Sequence, residues 1–273
     1  MPSLVTRIGL ASAVFLWTAG GGAQPPHPPT SGDSLEKEIA LGKALAAQIE
    51  RQLRLLEDPA VADYVRQLGE RLARVSGARL PVTVRVTDSK EPYAYVLPGG
   101  FLYLSAGLIA AMETEAELAG IMAHAVAHVA ARHGIRPAGR SPVSGAILIG
   151  GWDGVCTRLG AGSRMPVSFQ STARGFEDEA DWMALDCLRQ AQYDPQGLVA
   201  GLQRLPPARS SGPPPVTQTR EFQERLEDLR RGMPECVVTT SAFNQVKARL
   251  KAGPLRQFAE QPPRLEPKRA RRL

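Results

Sequence analysis

Cysteine is scarce and never paired at short range. Cys156, Cys187 and Cys236 are the three in 273 residues, and no CxxC occurs. A cysteine-ligated zinc module, with its closely spaced thiolates, is therefore not supported. In an oxidising compartment one disulfide is allowed and one thiol is left over. Cys187 sits on an apolar helical face and reads as a small buried residue. The chain also lacks an internal repeat and any apolar stretch long enough to span a bilayer. The apolar run near the start, Ile8 to Ala19, has 12 residues, against the ~20 that a spanning helix needs. What remains is ordinary for a globular protein: 43% hydrophobic and 22% charged residues, enough to bury a core.

The first residues read differently from the rest. Arg7, the apolar run and then Gly21-Gly22-Ala23 have the order of a secretory signal peptide cut after Ala23. Residues 24–32 are a Pro-rich linker containing a solvated His27, and residues 33–252 form the folded domain. Residues 253–273 form a basic, disordered tail. From Arg264 to Leu273, the bases Arg264, Lys268, Arg269, Arg271 and Arg272 against the one acid Glu266 account for four of the six net positive charges. The folded part is thus nearly neutral and has no nucleic-acid-binding face. The tail either touches an anionic membrane surface or is simply solubilising.

Inside the domain the hydrophobic period changes twice. Asp33 with Glu36 resembles a capping box, followed by apolar residues at helical spacing through Leu53. Asp58-Pro59 opens a second helix with the stripe Val61, Tyr64, Val65, Leu68 and Leu72. Val82, Val84 and Val86 alternate with polar residues and predict a strand. Tyr93–Leu97 and Phe101–Ser105 predict two more around a Pro98-Gly99-Gly100 turn. A long alanine-rich helix is expected from Glu115 to His133. A loop and short helix, lying over the cleft, are expected within Val143–Gly162. Further helices are expected over 172–191, from Asp194-Pro195, and over 221–231 and 241–251. The resulting class is α+β, mainly α-helical, with a small, mostly antiparallel sheet.

Two histidines stand out. His124 and His128 are four residues apart, so they share one helix face and can direct their rings at one metal ion. Glu177 and Asp181 repeat that spacing on a second helix, as a third ligand and its supporting carboxylate would. Spacing alone leaves a second reading open: two buried imidazoles with other partners, and two solvated acids.

From Leu35 to Leu250 the chain resembles peptidase family M48, the group of HtpX, BepA and the CAAX prenyl proteases. The resemblance rests on Leu97-Pro98-Gly99-Gly100 with Tyr103, Gly107 and Leu108, and on Glu115-Ala116-Glu117-Leu118-Ala119 leading into His124 and His128. It continues through Arg132-His133, Phe176-Glu177-Asp178-Glu179-Ala180-Asp181 and Ala191-Gln192-Tyr193-Asp194-Pro195. It implies a zincin-like domain, one zinc ion held by His124, His128 and Glu177, and Asp181 supporting a ligand. It further implies a substrate edge and turn at Leu97, Pro98, Gly99 and Gly100, and a polypeptide substrate or client.

The departure is at the centre. The family pattern His-Glu-x-x-His reads His124-Ala125-Val126-Ala127-His128 here. In relatives the glutamate takes a proton from water and passes it to the leaving amine, and loss of such a base costs ~10²–10⁴-fold. Ala125 can do neither. The family's late His-Pro pair is also missing, with Pro214-Pro215 in its place, and Tyr93 replaces an asparagine before the turn. Glu113, Glu115, Glu117 and Glu179 are not placed to substitute for the missing base. Three functions follow as expectations: an exported zinc-binding pseudopeptidase for unfolded envelope segments, a weak metalloendopeptidase, or a metal-free structural domain.

Overall fold

The computed structural model describes residues 35–51, 53–136, 147–149, 169–205 and 215–253. The leader, the linker with His27, Asp33, most of Val143–Gly162, Cys156, Pro214 and the basic tail lie outside these residues.

Helix α1 (Leu35–Glu50) is followed by α2 (Pro59–Val75). Asp58 caps α2 by accepting from the Ala60 and Val61 amides, and Pro59 occupies a first-turn position where no amide is needed. The buried stripe Val61, Val65, Leu68 and Leu72 is the predicted one. Strands β1 (Thr83–Thr87), β2 (Ala94–Leu97) and β3 (Phe101–Ser105) come next, and β2 and β3 are joined by a tight turn at Pro98–Gly100. Gly99 and Gly100 both have positive φ, 77° and 87°, which a side chain would strain. After them come α3 (Ala106–Ala111), α4 (Glu115–Ala130), β4 (Ile147–Ile149), α5 (Phe169–Gln190), α6 (Gln196–Arg204), α7 (Arg220–Arg231) and α8 (Ser241–Ala252).

The sheet order is β1-β3-β2-β4. The β2–β3 and β2–β4 pairs are antiparallel and β1–β3 is parallel, so the sheet is mixed but mostly antiparallel, as expected. It has four strands rather than the three anticipated. The fourth corrects the reading of Val143–Gly162 as loop and short helix: Ile147–Ile149 pairs with Val96–Ala94. A short apolar run has no period that separates strand from helix, and the open edge of β2 decided it. Helix α3 was also not foreseen. It has six residues, too few to show a period, and Ser105 caps it through the Leu108 amide.

Both faces of β2 and β3 are buried. Ala94, Val96, Leu102 and Leu104 face the main core with α2 and α4. Tyr93, Tyr95, Leu97 and Tyr103 face the other way, beneath Ala46 and Ile49 of α1. Helix α4 runs through the centre and is buried from Glu115 to Val129. Its small residues let neighbours approach closely: a Cβ on Gly120 would lie 2.5 Å from the Leu198 Cα of α6.

Helix α4 ends three residues earlier than the pattern suggested. The Arg132 amide bonds the Val129 carbonyl, and the His133 amide bonds the His128 carbonyl at 3.0 Å. Arg132 stands between them at φ 57°. This is a Schellman ending with arginine where glycine is usual, so the stop carries no glycine signal.

Candidate metal centre

Thr114 caps α4 through the Glu117 amide. From that start the helix carries His124 and His128 to its buried face, one turn apart. Helix α5 packs beside it and brings Glu177 and Asp181 to the same place. The ligand-type atoms of His124, His128 and Glu177 all lie within 4.8 Å of one another. The Nε2 atoms of the two histidines are 3.0 Å apart. Glu177 bridges them, with Oε2 3.2 Å from His124 and Oε1 3.5 Å from His128. Asp181 accepts from the His124 Nδ1 at 2.8 Å, which leaves Nε2 directed at the cluster.

The cluster is closed on one side and open on the other. His124, His128 and Asp181 are buried, whereas 39% of the Glu177 side chain is exposed. Burial opposes a charged His124 ring. Its hydrogen bonds to Asp181 and Glu177 outweigh that, and the pKa is pushed up to about 10. Desolvation likewise opposes ionisation of Glu177. Electrostatic attraction to the neighbouring imidazoles, His128 foremost, and hydrogen bonds with both rings hold it well below the usual carboxylate range. Without a metal the site thus traps a proton between imidazole and carboxylate.

The donor set fits a small divalent ion. Two atoms each ~2.05 Å from a tetrahedral zinc would be about 3.3 Å apart. The histidine pair at 3.0 Å, and the shortest approaches of the two Glu177 oxygens, Oε2 at 3.2 Å from His124 and Oε1 at 3.5 Å from His128, lie near that value. Two nitrogens, one carboxylate and an open side are the donor pattern of a zinc site with room for a further ligand.

Ala125 is fully buried, and its methyl belongs to the main apolar cluster. None of the four acids considered as substitutes for the missing base, Glu113, Glu115, Glu117 and Glu179, lies in the cluster. Glu117 is bound by Arg204, which also reaches Glu113 at 2.5 Å, and Glu115 accepts from the Tyr193 hydroxyl. Glu179 points away from the cluster, as expected, and pairs with His133 and Arg136. The turn at Leu97–Gly100 sits beside the end of α4: a Cβ on Gly100 would lie 3.6 Å from Val129. It is buried, and α1 covers it; the Gly99 amide donates to Glu38, which also accepts from Arg132 at 2.7 Å. Tyr93 donates to or accepts from Thr87 at 2.7 Å and faces the second core, away from the cluster. Cys187 is buried without a disulfide, and Cys236 is also free.

One neighbour of the centre, His133, entered the sequence reading only within the Arg132-His133 motif and with no role at the site. His133 is fully buried, with its Nδ1 2.9 Å from the His128 Nδ1 and its Nε2 3.2 Å from Glu179. Burial, together with the electrostatic influence of the adjacent His128 ring and the Arg136 guanidinium, pushes its pKa down to about 2, so the ring is neutral. It lies five residues after His128, off the i+4 face. Only the Arg132 turn folds it back.

The model of peptidase family M48 matches residues 59–230, more than half of the chain. The beta-barrel assembly-enhancing protease of Yersinia pestis is 29% identical over 216 residues, covering 72% of this chain and 44% of the relative. The putative beta-barrel assembly-enhancing protease of Vibrio cholerae is 30% identical over 213 residues, with the same coverage. The mitochondrial metalloendopeptidase OMA1 of Schizosaccharomyces pombe is 28% identical over 193 residues, covering 63% of this chain and 56% of the relative. The chain therefore spans about half the length of the curated relatives it matches. Helices α2 to α6, the sheet, all of α7 but its last residue and the His124–His128–Glu177 cluster fall within the matched residues, and the chain belongs to peptidase family M48.

Proposed function

We propose that this chain is an exported, zinc-binding pseudopeptidase of the cell envelope. It holds one zinc ion through His124, His128 and Glu177, with Asp181 orienting His124. It binds unfolded polypeptide segments and cleaves them little or not at all. The observation that carries this reading is the conjunction at α4: a three-residue ligand set of zinc dimensions beside a buried methyl at Ala125. A bound zinc ion supplies Lewis-acid polarisation of a peptide carbonyl. Carrying a proton from water to the leaving amine falls to a side chain, and Ala125 offers none. Glu177 faces the open side, so a peptide would lie across it, with the Leu97–Gly100 turn as support beside the helix end. Export is supported by the Arg7, Ile8–Ala19 and Ala23 pattern. An envelope role is supported by similarity to proteins named for β-barrel assembly.

The intact ligand set, and relatives named as proteases, favour a second reading: an active zinc metalloendopeptidase of envelope quality control with reduced turnover. A paired assay separates the two. Zinc content and digestion of casein are measured for the chain as it stands and for Ala125→Glu. The first reading expects about one zinc per chain in both, cleavage only by Ala125→Glu, and loss of that cleavage on chelation. Chelator-sensitive cleavage by the unsubstituted chain would overturn it. No zinc in protein purified without chelator would overturn both readings.

A further inference from the structure

We infer that His133, anchored by Glu179 and Arg136, is a positioning residue that sets the tautomer and orientation of His128. This rests on the zinc-binding reading above. A neutral imidazole carries one N–H. If the Nε2 of His128 faces the ion with its lone pair, its proton is on Nδ1. That Nδ1 lies 2.9 Å from the Nδ1 of His133, which must then accept. The proton of His133 is consequently on its Nε2, 3.2 Å from a Glu179 oxygen that accepts it. Arg136 Nη1 holds both Glu179 oxygens, at 3.1 and 2.9 Å. Each link has a single polarity, and the chain runs outward from the metal centre.

The ring of His133 cannot turn freely. It is fully buried and stacks on Phe176, with centroids 4.3 Å apart and planes 11° from parallel. Arg136 covers the same phenyl ring, with its guanidinium carbon 4.9 Å from the centroid. Phe176 directly precedes the ligand Glu177, so one packed unit fixes the ligand helix and the ring behind His128 together. The two ligand histidines are thus supported differently: His124 by the carboxylate of Asp181 directly, and His128 by a carboxylate acting through a second imidazole. The Arg132 turn makes this arrangement, because it alone brings a residue five positions on against the back of His128.

The test is zinc affinity, measured by competition with a chromogenic chelator, in the full chain and three variants. His133→Phe keeps the stack and removes the acceptor; losing such a supporting partner weakens metal binding by about 10–100-fold. His133→Asn places an amide oxygen near the former Nδ1, and affinity should stay within about threefold of the unsubstituted chain, because the acceptor that the ligand needs is retained. Glu179→Ala changes a partly exposed position and should lose about tenfold by the same mechanism. It keeps the inference testable if His133→Phe does not fold, which thermal midpoints of the metal-free forms reveal. Unchanged affinity in both His133→Phe and Glu179→Ala would overturn the inference alone. So would an Asn variant as weak as Phe, since packing would then be the whole effect. If the unsubstituted chain binds no zinc, the metal reading itself fails and this inference goes with it.

Discussion

Glu38 and Arg132, 94 positions apart, form an ion pair at 2.7 Å in which the glutamate side chain is 2% exposed and the arginine 12%. The pair ties α1 to the turn that ends α4, and Glu38 also accepts from the Gly99 amide. Removing one partner of a buried ion pair is destabilising, at a cost of about 3 kcal/mol. Glu38→Ala should lose about that much in chemical denaturation. Arg66→Ala is the control: its partners Asp63 and Glu70 are largely exposed, and the change should be under about 1 kcal/mol. Equal effects of the two substitutions would show that α1 is not held at this point.

Removal of a ligand should differ from removal of its support. His124→Ala and Glu177→Ala each delete one of three donors, and zinc stoichiometry by elemental analysis should fall from one per chain to near zero. Asp181→Asn leaves all three donors and should keep the stoichiometry at saturation while weakening affinity about 10–100-fold. Full-strength binding by Glu177→Ala would remove that residue from the ligand set.

Zinc affinity should rise with pH. Without metal the His124 pKa lies at about 10, so the ring is charged at neutral pH, whereas a ligand histidine must be neutral. One proton is then displaced, and affinity changes about tenfold per pH unit over pH 7–9. Glu177, held low, stays ionised throughout and adds nothing to the slope. The metal-free fold shows the reverse trend. A folded pKa above the unfolded 6.5 stabilises fully below pH 6.5, and that contribution is lost as pH rises through about 10. Thermal midpoints of the metal-free protein should therefore fall over pH 7–10, while those of the zinc-loaded protein should not follow. A pH-independent zinc affinity would contradict the trapped proton.

Gly120 is a point of close packing between α4 and α6 near the centre. A side chain there would meet the Leu198 backbone of α6 at 2.5 Å, and backbone cannot yield as a side-chain tip does. Gly120→Ala should cost about 1–3 kcal/mol, the usual price of overfilling a packed core. It should also weaken zinc binding, because His124 sits one turn further along α4. A variant as stable as the original would mean that α4 and α6 separate freely.

The amino-acid sequence by itself determined the periodic elements and every residue pair that lies on one helix face. The Asp58 cap, the α2 stripe, the valine alternation of β1, and the His124/His128 and Glu177/Asp181 spacings all follow from local geometry, because 3.6 residues per turn and two per pleat place side chains without reference to the rest of the chain. The replacement of the expected glutamate by Ala125 was equally legible. Only the tertiary structure decided what depends on a neighbour. Three apolar residues became β4 because β2 had an open edge. The left-handed Arg132, with no glycine to announce it, stopped α4 and turned His133 against His128. Glu38 reached Gly99 and Arg132 across the fold. The convergence of two helices on one point within 4.8 Å is likewise a product of packing, since spacing within each helix says nothing about the distance between them.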